Sequence, residues 1–138
     1  MVIQEHIRIA TQKRGTYNIQ STIEELIQKH PIQTGICNLF LQHTSASLIL
    51  CENADPTVRH DLETFMARIA PDGDPTFLHQ DEGPDDMPAH IRSIITQNDL
   101  SLPISQGKLN LGTWQDIFLW EHRTHPHTRQ IIITLYGE

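Results

Sequence analysis

The sequence predicts a single α+β domain over residues 1–138, in which a mixed or largely antiparallel β-sheet packs against about three helices. Segments with the two-residue period of a strand outnumber segments with helical spacing, and several follow each other directly along the chain. This order favours an α+β fold over the regular alternation that builds a parallel sheet. A chain of 138 residues is also long enough to bury one ordinary core.

The N-terminal segment predicts two strands followed by a helix. Val2 to Ala10 alternates polar and apolar residues, and Tyr17 to Ile19 can extend a second, short strand. Ser21 and Glu24 match the S-x-x-E pattern of a capping box, which predicts that a helix starts there. The helix should end at His30, because a proline follows.

Two further strands and a second helix are predicted in the next segment. Thr34 to Gln42 and Ala46 to Glu52 are the strands. Asp55 suits an N-cap, and Pro56 suits the first position of a helix. The spacing of five apolar residues predicts one buried helix face: Val58, Leu62, Phe65, Met66 and Ile69.

The second half of the chain predicts a long loop, a third helix and the closing strands. Residues 73–86 are rich in Pro, Gly and Asp, and a loop of this length suggests a functional segment. Pro88 should begin a helix that directs Ile91, Ile94 and Ile95 inward. The predicted strands after it are Leu100 to Ile104, Thr113 to Glu121 and Thr128 to Tyr136.

Composition excludes several classes of partner. The net charge of −7 argues against nucleic acid or an anionic membrane surface as a partner. No apolar run approaches the ~20 residues that span a bilayer, and the N-terminus does not resemble a signal peptide. Cys37 and Cys51 lie in apolar runs without metal-binding spacing, which suggests buried thiols in a reducing compartment. We therefore expect a cytoplasmic protein.

Polar residues interrupt the apolar strands at two points and predict a binding site. His43, Thr44 and Ser45 separate the two central strands, while Glu52 and Asn53 follow the second of them. Buried polar groups need partners, and clusters at strand ends often form sites. A serine hydrolase built on Ser45 or Ser47 with His43 is disfavoured, because residues so close on strands seldom face each other.

The segment around the acidic loop predicts a metal site. His79, the carboxylates of residues 81–86 and His90 offer ligands for zinc or another divalent ion, and His43 could complete the set from the sheet. His90, in the first helical turn, could instead bind a phosphate. Spacing alone slightly favours a structural alternative, in which Asp85 and Asp86 only cap the helix and His79 lies in solvent.

The C-terminal segment adds two groups of polar residues. His122, His125 and His127 form HRTHPH, which we interpret as a solvated turn rather than a metal tract. Arg123 and Arg129 are among the few cations suited to phosphate in this acidic chain. A third set shares one face of the predicted strand and offers hydroxyl, amide and carboxylate groups: Thr113, Gln115 and Glu121.

Three motifs together make the chain similar to the YjbQ family, whose members are often labelled secondary thiamine-phosphate synthases. The motifs are LQHTSASLILCENADPTVRHDLE, HQDEGPDDMPAHI and GTWQDIFLWEHR, followed by a terminal GE, and the likeness spans nearly the whole chain. The resemblance implies an α+β domain that forms a homotrimer with sites near the subunit boundaries. The characteristic family positions fall on His43, Thr44, Ser45, Glu52, Asn53, His79, Asp86, His90, Thr113, Gln115 and Glu121.

Two functional hypotheses follow. The first is a small-molecule enzyme that acts on a phosphorylated or anionic metabolite with the help of zinc or magnesium, with thiamine-phosphate synthesis as a secondary activity. The expected metal ligands are His43, His79 and His90. The expected substrate-binding residues are Thr44, Ser45, Asn53, Thr113, Gln115 and Arg123. Glu52 or Glu121 would be the general acid or base. The second hypothesis is a non-catalytic trimeric protein that binds a metal or a metabolite.

Overall fold

Two antiparallel sheets face each other across the main core in the computed structural model, which describes all 138 residues. The strands are β1 Val2–Thr11, β2 Gly15–Asn18, β3 Thr34–Leu41, β4 Ala46–Glu52, β5 Asp99–Ser105, β6 Lys108–Leu109, β7 Gln115–Glu121 and β8 His127–Gly137. The helices are α1 Gln20–Gln28, α2 Pro56–Ile69 and α3 Asp86–Ile95. The predicted α+β class with three helices is therefore confirmed, and all strand pairs are antiparallel.

The five-stranded sheet has the order β1-β8-β3-β5-β6, and the three-stranded sheet has the order β2-β7-β4. Apolar side chains from the facing strands and from α1 form one core of 18 buried residues. A smaller cluster of Ile49, Met66, Phe118 and Trp120 lies between the three-stranded sheet and α2. Because both faces of this sheet are covered, residues 117–121 of β7 are all buried.

The start of α1 differs from the predicted capping box. The helix begins at Gln20 with Ile19 as its N-cap, and no side chain caps it from that position. Instead, Oδ1 of Asn18 accepts a hydrogen bond of 2.9 Å from the Gln20 amide. Ser21 therefore lies within the first turn. By contrast, the predicted cap of α2 is confirmed, because Asp55 accepts from the Thr57 amide and proline occupies the first turn.

The apolar faces predicted for α2 and α3 were largely wrong. Only Met66 of the α2 set is buried, whereas Phe65 and Ile69 are about half exposed. In α3 the buried face carries Asp86, Pro88, Ala89 and Arg92, while Ile94 is 82% exposed and Ile95 is 51% exposed. None of the three helices combines the length and the apolar character needed to cross a membrane.

Candidate functional site

Three side chains converge at the start of α3 and form what we call the His–Asp cluster: His79, Asp86 and His90. Nε2 of His79 lies 2.7 Å from Oδ2 of Asp86, and Nε2 of His90 lies 3.2 Å from the same oxygen. One potential ligand atom from each residue lies within 4.8 Å of the other two. In a tetrahedral zinc site the nitrogen and oxygen ligands lie about 2.0–2.2 Å from the ion, which places two ligand atoms about 3.4 Å apart. The spacing of the three side chains therefore suits a shared ion.

The local sequence explains how these residues meet. Asp86 and His90 are four residues apart in α3, so their side chains lie on one face of the helix. His79 arrives from the loop before α3, and the two imidazole rings are 5.4 Å apart in an edge-to-face arrangement. The Asp86 side chain is 3% exposed, whereas the His79 side chain is 46% exposed. The cluster therefore joins a buried anion to imidazoles that a ligand can reach.

Arg123 holds the acidic end of the loop in place. Its Nη1 lies 2.8 Å from Oδ1 of Asp86, its Nε donates to Asp85 at 2.9 Å, and its Nη2 donates to the Glu82 carbonyl at 2.9 Å. Burial acts to raise the pKa of Asp85, but the Thr124 amide and Arg123 outweigh it and lower this pKa to about 2. The guanidinium group of Arg123, a predicted substrate-binding residue, is therefore engaged by two carboxylates and a carbonyl of the protein itself.

Asp86 is held in its ionised form. Burial raises the pKa of this carboxyl group, but the hydrogen bond from His79 and the charges of Arg123 and His90 outweigh burial, so the pKa lies below its ordinary value. Neither Asp85 nor Asp86 acts as a side-chain cap of α3. His90 is the fifth residue of this helix, so it does not lie in the first turn, where unpaired main-chain N–H groups would favour a phosphate.

We expected His43 among the metal ligands, but the side chains that lie close enough to hold one ion together are His79, Asp86 and His90. Nε2 of His43 accepts from the Gln130 main-chain amide at 2.8 Å, and Nδ1 lies 3.4 Å from Nη1 of Arg129. Burial, followed by the charge of Arg129, lowers the pKa of His43. Its ring therefore ends the pairing of β3 with β8 instead of joining the His–Asp cluster.

His43 and His90 nevertheless share a cavity of about 340 Å³. Thr44 lines the same cavity, together with residues from the end of α3 and the segment after it: Ser93, Ile94, Thr96, Gln97 and Asn98. A second cavity, of about 580 Å³, lies in the loop before α3 and includes His79, Phe77 and Met87. The His–Asp cluster is thus accessible from two sides, one mainly polar and one formed by the loop.

Glu121, a predicted general acid or base, lies inside the domain. Its carboxylate binds Arg129 through Nε and Nη2 and accepts from the Thr11 hydroxyl at 2.7 Å. Burial raises the pKa of Glu121, but the hydrogen bonds from Arg129 and Thr11 outweigh burial and lower it. Glu121 is a fixed anion in a buried ion pair, an arrangement that does not suit proton transfer. The carbonyl oxygen of Ser45 accepts a further hydrogen bond from Nη2 of Arg129.

The remaining predicted residues lie at the other end of the three-stranded sheet. Glu52 pairs with Gln115 in register, whereas Ala46, next to Ser45, pairs with Glu121. Six residue steps along a strand correspond to about 20 Å. Glu52 accepts from the Ala54 and Asp55 amides, and Asn53 donates to the Thr113 carbonyl and to Asp116. Within a single chain, these groups therefore lie too far from the His–Asp cluster to contact it.

His122 is a buried histidine just after the end of β7. His122 was expected in a solvated turn, yet it is fully buried, and its Nε2 lies 2.7 Å from Oγ of Ser47. Ser47 also contacts the hydroxyl of Thr96, while Nδ1 of His122 has no hydrogen-bond partner. The two-residue period places His122 on the face of Phe118 and Trp120, and this signal could have predicted its burial.

The comparison with known proteins covers nearly the whole chain. The family model described as UPF0047 protein YjbQ-like matches residues 5–138. A UPF0047 protein of Synechocystis sp. is 49% identical over 98% of this chain and 92% of its own length. The UPF0047 protein YjbQ of Escherichia coli O157:H7 is 45% identical over the full length of both chains.

A solved structure gives the same result at the level of the fold. The conserved hypothetical protein TT1486 from Thermus thermophilus superposes with a TM-score of 0.86 and 35% identity, covering 96% of this chain and 99% of that one. Family model, full-length relatives and fold thus agree with the three motifs in the sequence. The chain belongs to the YjbQ-like UPF0047 family.

Proposed function

We propose that this protein is a metal-dependent small-molecule enzyme that acts on a phosphorylated or anionic metabolite. The observation that carries the proposal is the His–Asp cluster, in which the Nε2 atoms of His79 and His90 lie beside one oxygen of Asp86. The cluster is partly exposed and adjoins two cavities, so a ligand can approach an ion held there.

The donor set favours zinc or another transition ion over magnesium. Imidazole nitrogen suits zinc, iron, copper and nickel, whereas magnesium prefers an all-oxygen shell. Three protein ligands leave open positions, as in catalytic rather than structural zinc sites. Arg123 would serve as the partner that orients Asp86, a role that commonly sustains metal affinity. An ion at this position would supply Lewis acidity towards a substrate oxygen.

Thiamine-phosphate synthesis, the activity implied by the family label, would be a secondary activity in this proposal. That reaction expels pyrophosphate, which calls for several cationic or N–H donors around the leaving group. The two arginines that the sequence marks as suited to phosphate, Arg123 and Arg129, are each paired with a carboxylate. A substrate with an anionic group smaller than pyrophosphate therefore matches better the few donors that are not already paired.

A homotrimer forms part of the proposal. Glu52, Asn53, Thr113 and Gln115 lie about 20 Å from the His–Asp end of the same sheet by strand length, so a neighbouring subunit would be needed to supply them. The half-exposed Phe65 and Ile69 of α2 support burial against another chain. Light scattering of the native protein and of Phe65→Glu tests this, since we expect the variant to be smaller.

A non-catalytic, trimeric metal- or metabolite-binding protein is the second candidate. It is favoured by the positions of the two glutamates expected to transfer protons. Glu121 is buried in an ion pair with Arg129, and Glu52 is hydrogen-bonded to the turn before α2. If no other group serves as acid or base, the site would bind without turning over.

Elemental mass spectrometry on untagged protein measures whether metal is bound. A turnover assay then separates the enzyme from the non-catalytic binding protein. We expect near-stoichiometric metal in the native protein and in His60→Ala, an exposed histidine of α2, and little in His79→Ala or His90→Ala. Absence of metal from the native protein would contradict the proposal. Turnover of phosphorylated metabolites that is lost in folded His90→Ala supports the enzyme, whereas metal without turnover supports the binding protein.

A further inference from the structure

The His43 ring is approached by two hydrogen-bond donors. The main-chain N–H of Gln130 points at Nε2 over 2.8 Å, and the guanidinium N–H of Arg129 points at Nδ1 over 3.4 Å. A neutral imidazole has one acceptor nitrogen and one N–H, and a protonated imidazole has no acceptor. One of these two donors is therefore left without an acceptor on the ring.

The geometry shows which donor is satisfied. Gln130 belongs to β8, and its carbonyl already accepts from the Gln42 amide, so its N–H direction is fixed by the sheet. This N–H makes the shorter contact, which assigns the lone pair to Nε2 and the proton to Nδ1. The Nδ1–H of His43 and the Nη1–H of Arg129 are then two donors at the same place.

Arg129 is fixed, and its remaining nitrogen is available. Its Nε and Nη2 bind the Glu121 carboxylate, and Nη2 also donates to the Ser45 carbonyl. The residue is 3% exposed, so its position depends on these contacts rather than on solvent. Nη1 has no hydrogen-bond partner in the protein other than His43. Two donors 3.4 Å apart can share a single oxygen placed at ordinary hydrogen-bond distance from both.

We propose that His43 Nδ1 and Arg129 Nη1 form an oxyanion subsite that binds a phosphate or carboxylate oxygen of the ligand. The inference deepens the proposed function and rests on it for the identity of the ligand as an anionic metabolite. Charge-assisted donors of this kind are the strong ones, and arginine is well suited to oxyanions.

The neighbouring cavity matches this class of ligand. His43 and His90 both line it, together with hydroxyl and amide side chains, and none of its lining residues is a carboxylate. This is notable in a chain with 17 acidic and 10 basic residues. The cavity in the loop before α3, by contrast, includes Asp74. A ligand anchored at His43 could therefore extend towards His90 and an ion held by the His–Asp cluster.

The test uses the full chain after removal of metal, with inorganic phosphate and acetate as probes. Long-range ¹H–¹⁵N NMR spectra should show His43 with its proton on Nδ1, and phosphate should shift that signal in a saturable way. His43→Ala should bind phosphate about tenfold more weakly, the loss expected for one hydrogen bond to a charged group. His60→Ala, which changes an exposed imidazole elsewhere, should bind like the native chain.

A proton on Nε2, no response of His43 to either probe, or equal phosphate affinity in His43→Ala would overturn the subsite. If His43→Ala does not fold, the spectra of the native chain still decide. A response to phosphate alone identifies a phosphate subsite, and a response to both probes identifies a general oxyanion subsite. His90→Ala separates the two proposals. If the native chain holds no metal as purified and His90→Ala binds phosphate as the native chain does, the subsite stands and the metal site is rejected. If the native chain holds metal but His43 responds to neither probe, the metal site stands and the subsite is rejected.

Discussion

Nη1 of Arg123 lies 2.8 Å from Oδ1 of Asp86, while both histidines of the cluster contact the other oxygen of the same carboxylate. The arginine thus fixes the plane of the carboxylate without occupying the oxygen that faces the imidazoles. It is also bound to Asp85 and to the Glu82 carbonyl, so it links the C-terminal end of β7 to the loop before α3. Residues of this kind orient metal ligands in many proteins.

Arg123→Gln should weaken metal binding without removing a ligand. Loss of an orienting partner typically lowers metal affinity by about 10- to 100-fold. Competition with a chromophoric chelator measures the affinity, and Arg68→Gln is the control, because Arg68 is an exposed residue of α2. Equal affinity in Arg123→Gln and the native protein would show that Asp86 needs no support from this side.

His43→Ala should retain the full metal content. The ring of His43 contacts Gln130 and Arg129, whereas Asp86 occupies the third position of the cluster. Elemental mass spectrometry of His43→Ala, with His79→Ala as the matched variant that does lose metal, checks this expectation. Loss of metal from a folded His43→Ala would restore His43 as a ligand.

The strands could be predicted well because their signals are local. Period-two alternation located the long strands to within a few residues, and Asp55 with Pro56 located the start of α2. The burial of the helix faces could not be predicted in the same way, since an apolar stripe does not determine which element, if any, packs against it. Phe65 and Ile94 have helical spacing but lie exposed in this chain. The two-sheet arrangement also depends on long-range pairing that spacing alone does not specify.

The candidate site was predicted in part for the same reason. His79, Asp86 and His90 are near each other in sequence, and the four-residue spacing of Asp86 and His90 is a local signal for one helix face. Glu52 and Glu121 are the last residues of the paired strands β4 and β7, and the antiparallel register places them at opposite ends of this pair. His43 required knowledge of where β3 ends and which main-chain amide it meets, which only the folded chain provides.

Asp55→Ala should destabilise the protein by about 1 kcal/mol, because it removes the N-cap of α2. Ser21→Ala is the matched control. The sequence suggests that Ser21 is a cap, but it lies inside α1 and should tolerate alanine with a change of less than about 0.5 kcal/mol. Urea unfolding monitored by circular dichroism measures both. Equal losses in the two variants would contradict the assigned start of α1.

Ser47→Ala should cost about 1–3 kcal/mol, since it leaves the buried Nε2 of His122 without a partner. The other ring nitrogen of His122 already has none, so the imidazole would lose its only hydrogen bond. Ser101→Ala, an exposed serine of β5, is the control and should change the free energy of unfolding little. A Ser47→Ala variant as stable as the native protein would indicate that the His122 contact contributes nothing.

The free energy of unfolding should decrease as the pH falls below about 6.5, and His122 should account for part of the decrease. Burial, followed by the charges of Arg92, Arg14 and Arg129, lowers the pKa of His122 from 6.5 to about 3. Between these values the unfolded chain binds a proton that the folded chain excludes, so acid favours unfolding; above pH 6.5 both states are neutral and the effect vanishes.

One such histidine should change the stability by roughly 2 kcal/mol between pH 7 and pH 5. His122→Phe removes the titrating group, so its stability should depend less on pH than that of the native chain by about this amount. Urea unfolding of both chains at each pH measures the difference, in which carboxylates and the other histidines largely cancel. Parallel pH curves for the native chain and His122→Phe would mean that the buried imidazole does not oppose protonation.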